Sequence, residues 1–176
     1  MGGTCYVGVD PGLTGAVSAI YPDGRVAVWD VPTIQYRPGG KTKKGNPKTK
    51  TDYDGNRLAE IFFALAEDHH NGQATLVVLE NVAAMRRDTP VTAFSLGRSK
   101  GVIEAMLWAA CLPYVQVSPS QWKPAMVGRG ADKEASRIRA QQLFPSVELG
   151  LKKHHGRAEA LLIAEFYRRK QLGKDG

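Results

Sequence analysis

Apolar positions fall into short strand-like runs near the start of the chain and into longer, helically spaced sets further on. Residues 4–9, containing Tyr6-Val7-Gly8-Val9, read as a buried strand, and Asp10-Pro11-Gly12-Leu13-Thr14-Gly15 reads as a turn. Ala16-Val17-Ser18-Ala19-Ile20-Tyr21 alternates as a second strand, and Pro22-Asp23-Gly24 turns the chain into a third over residues 25–31, giving an antiparallel meander. Leu58, Ile61, Phe62, Leu65 and Ala66 recur at helical spacing within 55–70, Gly72 ends that segment, and a strand follows over 75–80.

Residues 91–110 carry Phe94, Gly97, Gly101, Ile103, Ala105, Met106, Leu107, Ala109 and Ala110, which predicts one long buried helix. Gly97 and Gly101 lie four apart on one face and permit close helix packing, either within the chain or across a dimer. Residues 114–117 form a fifth strand. Ser118 and Pro119 open a short helix as cap and first residue, Asp132 caps another over 133–143 that Pro145 ends, and a last helix runs from about 156 to 172. The order βββ-α-β-α-β-α-α predicts an α/β fold with a mixed five-stranded sheet flanked by helices. Residues 171–176 are expected to fray.

One stretch differs in kind. Residues 33–54 lead through Pro38-Gly39-Gly40 into Lys41, Lys43, Lys44, Lys48 and Lys50 with little apolar surface, which predicts a mobile basic loop that orders on contact with phosphates. The whole chain agrees in sign: 24 Lys+Arg against 17 Asp+Glu leave +7, which favours a polyanionic partner. With 176 residues and 43% apolar content the chain suits one domain with its own core. The absence of a long apolar run, and an N-terminus without a signal pattern, predict an intracellular protein that makes no use of a membrane. Cys5 and Cys111 lack metal-site spacing and read as reduced core residues.

Against this basic background three carboxylates stand at the ends of ordered segments. Asp10 closes the first strand, Glu80 closes Leu76-Val77-Val78-Leu79, and Glu159 sits in the apolar helix Ala158-Glu159-Ala160-Leu161-Leu162. Taken singly, Asp10 could serve an Asx-turn and Glu80 could be a solvated strand end, whereas Glu159 beside the core needs compensation or a metal. Helical phase places His155 four residues before Glu159 on the same side, with His154 near the start. Carboxylates in a basic chain suit Mg²⁺ beside a phosphate backbone, and an imidazole in the set predicts tolerance of Mn²⁺.

Gly8-Val9-Asp10-Pro11-Gly12, Glu80-Asn81-Val82, Leu96-Gly97-Arg98-Ser99-Lys100-Gly101, Pro119-Ser120-Gln121-Trp122-Lys123 and Gly156-Arg157-Ala158-Glu159-Ala160-Leu161 together resemble the RuvC-like Holliday junction resolvases of the ribonuclease-H-like superfamily, particularly phage-type members. The resemblance spans nearly the whole chain except the basic loop. It implies a ribonuclease-H-like fold and a homodimer that binds branched DNA, especially four-way junctions, and nicks two strands symmetrically in recombination and repair. The products would carry a 5′-phosphate and a 3′-hydroxyl. It implies Asp10, Glu80 and Glu159 as ligands of Mg²⁺ or Mn²⁺, two ions roughly 4 Å apart per site, with Asp10 bridging. Many relatives place an Asp where this chain has His154-His155, and the phase argument selects His155 as the fourth ligand or as an acid or base.

For DNA contacts the resemblance and charge together point to Lys123 and Lys133, with Arg86 and Arg87 in the loop just beyond Glu80 and Arg129 in the break Gly128-Arg129-Gly130. Arg98 and Lys100 extend that surface, and Lys41, Lys43 and Lys44 form the loop's clamp. Met85 lies near the position from which relatives insert an apolar side chain at the junction crossover, where it would wedge between bases. Phage origin would place the protein in the cytoplasm or nucleoid of a bacterial host. Two further readings remain: a nuclease for flaps, forks or RNA–DNA hybrids with the same chemistry, and a non-catalytic junction-binding protein. A sugar-kinase-like ATP site fits poorly, since no second nucleotide-binding lobe is present.

Overall fold

The computed structural model describes residues 3–86 and 88–173, with Lys133 by its backbone alone. Arg87, the side chain of Lys133 and the end of the tail, all named above, lie outside the described residues. The meander forms as expected from β1 (Cys5–Asp10), β2 (Ala16–Ile20) and β3 (Val26–Asp30), all antiparallel. A hairpin of β4 (Thr33–Tyr36) and β5 (Lys50–Tyr53) follows, then α1 (Gly55–His70), β6 (Thr75–Glu80), α2 (Pro90–Ala109) and β7 (Tyr114–Val117). Three helices complete the chain: α3 (Pro119–Met126), α4 (Lys133–Leu143) and α5 (His155–Gln171), the last preceded by a 3-10 turn at Lys152–His154.

Five strands make one mixed sheet in the order β3-β2-β1-β6-β7. Short turns allow only antiparallel neighbours, so β1 pairs with β2, whereas the helical crossovers α1 and α2 return the chain parallel, placing β6 beside β1 and β7 beside β6. Alternation along the strands then divides the core in two. Val7, Val9, Val77 and Leu79 face Leu58 and Phe62 of α1 and Ile103 and Leu107 of α2. Tyr6 and Val78 face Trp122 of α3, Ala140 of α4 and Leu161, Leu162 and Ile163 of α5. Asp10 and Glu80 are in phase with Tyr6 and Val78, so both belong to the α5 face.

Contact on that face is close enough to dictate residue type. A Cβ on Gly8 would stand 2.0 Å from the Ala160 carbonyl oxygen and 2.8 Å from the Ala164 nitrogen, so the backbone of α5 lies directly on β1. A Cβ on Gly156 would stand 2.3 Å from the Thr14 oxygen, which seats the start of α5 on the turn after β1.

Three expectations change. Residues 33–54 close as a hairpin instead of an open loop, because Thr33-Ile34-Gln35-Tyr36 and Lys50-Thr51-Asp52-Tyr53 are alternating, β-branched and aromatic segments at either end of the lysine-rich middle. The hairpin is pinned to α2: buried Tyr53 donates its hydroxyl to Ser99 Oγ at 2.7 Å, and Arg98 makes a two-pronged ion pair with Asp52. Next, α2 is not a buried helix. Only Ser99, Ile103 and Leu107 are buried on it, while Val91, Phe94 and Trp108 are 75%, 72% and 63% exposed, and a Cβ on Gly97 or Gly101 would meet nothing within 4 Å. Finally, Cys5 is a core residue whose thiol burial pushes up to about 12, but Cys111 is exposed at the end of α2 with φ of 52°. Among the described residues no helix is long and apolar enough to cross a membrane.

Candidate catalytic site at the carboxyl ends of the parallel strands

The parallel pairing of β1 and β6 runs through Val9 opposite Leu79, so the next residues, Asp10 and Glu80, end neighbouring strands about 4.8 Å apart between chains. Glu159 reaches the same place from the other layer. It lies between the two glycine seats of α5, one position before Ala160 on Gly8 and one turn after Gly156 on the Thr14–Gly15 backbone. Strand alternation and two glycines thus carry three carboxylates to one end of the sheet.

Electrostatics tie two of them together. Glu80 is 5% exposed; its burial pushes the carboxyl above its ordinary range, and the negative charge of Glu159 pushes in the same direction. The Trp122 indole N–H, donating to Glu80 Oε1 at 2.9 Å, and the charge of Lys123 oppose that rise without cancelling it. Glu159 is 6% exposed, and Lys123 Nζ stands 2.9 Å from its Oε1. That oxygen is buried and receives no aligned hydrogen bond, so the ammonium acts as a nearby charge more than as a donor. Asp10 is partly buried, and its field reaches Tyr53, whose hydroxyl is raised chiefly by burial.

Burial and the neighbouring Glu159 charge raise the cost of ionising Glu80, a cost that a hard divalent cation with oxygen ligands removes. As the side chains stand, no three His, Cys, Asp or Glu among the described residues form a ready-made metal cluster. The donor set nevertheless fits Mg²⁺ or Mn²⁺, since Glu159 presents a buried oxygen without an aligned donor.

The two histidines occupy different surroundings. His155 Nδ1 faces the Lys152 carbonyl at 3.1 Å, and the residue shares a shallow recess with Glu134, Arg137 and Lys152. As the first residue of α5 its side chain leans back over the preceding 3-10 turn. His154 is the buried one, at 3% exposure, and its charge bears on Asp30, which Arg157 holds below the ordinary carboxylate range through paired hydrogen bonds of 2.6 and 2.7 Å.

Among the cations proposed for DNA, Lys123 is at the carboxylates. Lys41, Lys43 and Lys44 are exposed at the hairpin tip, and Arg129 is exposed between Gly128 and Gly130, both at positive φ. Arg86 and Met85 are exposed in the segment after β6, where the Met85 N–H donates to Asp88 at 2.7 Å. Arg98 is engaged by Asp52, and Lys100 donates to Asn81 at 2.8 Å and Gln116 at 3.1 Å, so both already serve the fold. Trp122 was not singled out as a site residue. Its signal was available: a large indole that becomes fully buried needs a partner for its N–H, and Glu80 is a strand-end acceptor.

No family model matches the chain. A curated relative, the crossover junction endodeoxyribonuclease RuvC of Rhodopirellula baltica, is 30% identical over 128 residues, covering 72% of this chain and 65% of that protein. Thermus thermophilus RuvC in complex with a Holliday junction substrate superposes with a TM-score of 0.56 at 15% identity, over 98% of each chain. A second Thermus thermophilus RuvC structure gives a TM-score of 0.52 at 19% identity, over 97% of each chain. The fold is ribonuclease-H-like. The chain is structurally similar, and weakly similar in sequence, to RuvC-type Holliday junction resolvases.

Proposed function

We propose that this protein is a divalent-metal-dependent endodeoxyribonuclease that resolves four-way DNA junctions by paired symmetric nicks. The observation that carries the reading is the buried, mutually repelling pair Glu80 and Glu159 at the end of the strand that neighbours Asp10. The similarity to the Rhodopirellula baltica enzyme and to a Thermus thermophilus protein seen with a Holliday junction substrate supports it. Asp10, Glu80 and Glu159 would hold Mg²⁺ or Mn²⁺, which when bound polarises a phosphoryl oxygen and activates water. Trp122 orients Glu80 by its N–H, and Lys123 places a cation where the scissile phosphate would lie.

Substrate contacts follow from exposure. The hairpin tip with Lys41, Lys43 and Lys44 provides sequence-independent phosphate binding beyond the site. Replacing all three with Gln should flatten the slope of log affinity against log salt by roughly 2–3, at about 0.9 per lost phosphate contact. Fluorescence anisotropy on an immobile four-way junction reads it; an unchanged slope removes the hairpin from the interface. Met85 is free to wedge at the crossover, being 61% exposed.

Two coordinated nicks require two sites. The exposed face of α2 provides a self-complementary surface, with Phe94 seven residues before Gly101 and Trp108 seven after it, so that two copies crossing at Gly101 would pair Phe94 with Trp108. Light scattering should give twice the 19.2 kDa chain mass, and Gly101→Glu should return it to one; a wild-type monomer at all concentrations contradicts the dimer.

The function itself is tested with end-labelled four-way junctions, flaps, forks and RNA–DNA duplex in Mg²⁺ or Mn²⁺. Paired symmetric nicks in the four-way junction are expected. Faster cleavage of flaps or hybrids would transfer the same chemistry to those substrates, and junction binding without cleavage under any divalent ion would leave only a binding role.

A further inference from the structure

We propose that Lys123 is the resident counter-ion of the site: in the metal-free protein its ammonium stands beside Glu159 in place of a divalent ion, and it is released toward a phosphate oxygen when the ion enters. The inference rests on the cation site proposed above and concerns what occupies that site beforehand.

Helix α3 has a geometry suited to this exchange. Pro119 at its first position and the Ser118 N–H donating to Gln121 Oε1 at 2.9 Å fix its start beyond β7. Trp122 is fully buried, and its N–H is committed to Glu80, so the backbone that carries Lys123 has little freedom. From there the lysine chain folds over the indole, with Nζ 5.1 Å from the ring centroid and 2.9 Å from Glu159 Oε1. Adjacent residues of one helix therefore address both buried carboxylates, one by a directed hydrogen bond and the other by charge alone.

The two contacts differ in how easily they are broken. Glu159 cannot be left alone, because a buried unpaired carboxylate is strongly unfavourable. The ammonium meets that need loosely: its side chain is 34% exposed against 8% for Glu159, it is not aligned as a hydrogen-bond donor to that oxygen, and the solvent route is open. Because the lysine end of the pair is open to water, its ammonium can leave without being stranded in the interior, provided another cation takes its place at Glu159. A divalent ion brings twice the charge to the same oxygen. The displaced Nζ remains within a side-chain length of the site, so ion entry and phosphate capture become coupled, and by linkage each favours the other.

Measurements on the DNA-free protein separate this role from that of a plain phosphate contact. Mn²⁺ titration calorimetry should show Lys123→Met and Lys123→Gln binding the ion about 5- to 150-fold tighter than wild type, the range of ordinary coupling between sites. In ¹⁵N-lysine spectra the Nζ resonance of Lys123, assigned by its loss in Lys123→Met, should be protected in the metal-free protein. It should shift to the position of a free lysine at saturating Mg²⁺, and Glu159→Gln should give that free-lysine position with no metal added. Unchanged or weaker Mn²⁺ affinity in both variants, or an Nζ resonance that Mg²⁺ does not move, overturns the proposal. If wild type binds Mn²⁺ and Glu80→Gln abolishes that binding while the Lys123 results fail, the counter-ion role alone falls; if wild type binds no Mn²⁺, the cation site falls with it.

Discussion

Glu80→Gln is expected to lower junction cleavage by more than about 100-fold, the scale reached even by the outer partners of a metal ligand, and at the same time to raise the melting temperature of the metal-free protein. The loss follows from removing a charged ligand, and Asp10→Asn should show the same loss. The gain in stability follows from the environment of Glu80. Its carboxyl is raised by burial and by Glu159, so the folded protein holds that proton more firmly than the unfolded chain does. The fold is therefore favoured while Glu80 is protonated, and this preference is lost as pH rises through the elevated folded value. Above that folded value the wild-type protein carries a buried charge that the fold disfavours; a neutral amide can still accept from Trp122 and presents N–H groups in place of a second negative charge. The stability difference should accordingly grow as pH rises through the elevated folded value and vanish in acid. Thermal denaturation from pH 4 to 8 in the absence of divalent ions checks it; an equal or lower melting temperature at neutral pH would contradict the charge assignment.

Gly8→Ala is the second large effect. An added methyl would meet the Ala160 carbonyl oxygen at 2.0 Å and the Ala164 nitrogen at 2.8 Å, both backbone atoms of a helix that cannot yield by a rotamer change. Relief requires α5 to lift from β1, at a cost of about 3 kcal/mol or more, which for a chain of this size lowers the melting temperature by roughly 6–12 °C. The same displacement moves Glu159, one residue from the contact, away from Asp10 and Glu80. The variant should therefore lose Mn²⁺ affinity as well as stability. A Gly8→Ala protein that melts within a degree of wild type would mean that α5 does not rest on β1 as described.

Much of this architecture was legible from periodicity. The meander, α1, β6, β7, the caps Ser118 and Asp132 and the extent of α5 all follow from alternation, helical spacing and terminal residues, and the structure reproduces them. Local pattern failed where the deciding partner lies outside the segment. The apolar content of α2 suggested burial, but the sheet needs only one narrow stripe of it, and the remainder is left facing outward. The lysines of 33–54 concealed a hairpin whose anchors, Tyr53 on Ser99 and Asp52 on Arg98, reach a helix some 46 residues away.

The proposed site divides in the same way. Asp10 and Glu80 stand out in the sequence as strand ends and Glu159 as a charge in an apolar helix, because each is anomalous within its own segment. Trp122 is anomalous only once its burial is known, and His155, although it shares helical phase with Glu159, has its ring nitrogen against the Lys152 carbonyl of the preceding 3-10 turn. Gly8 and Gly156, which set how closely α5 approaches, carry no chemistry, and their importance appears only from the backbone atoms they meet.

The most direct measurement is anomalous diffraction from crystals of the protein grown with Mn²⁺. The account predicts a manganese peak at the carboxyl ends of β1 and β6, with oxygens of Asp10, Glu80 and Glu159 at about 2.1–2.3 Å. A peak at other residues, or saturating Mn²⁺ with these three carboxylates still apart and no metal between them, would contradict it.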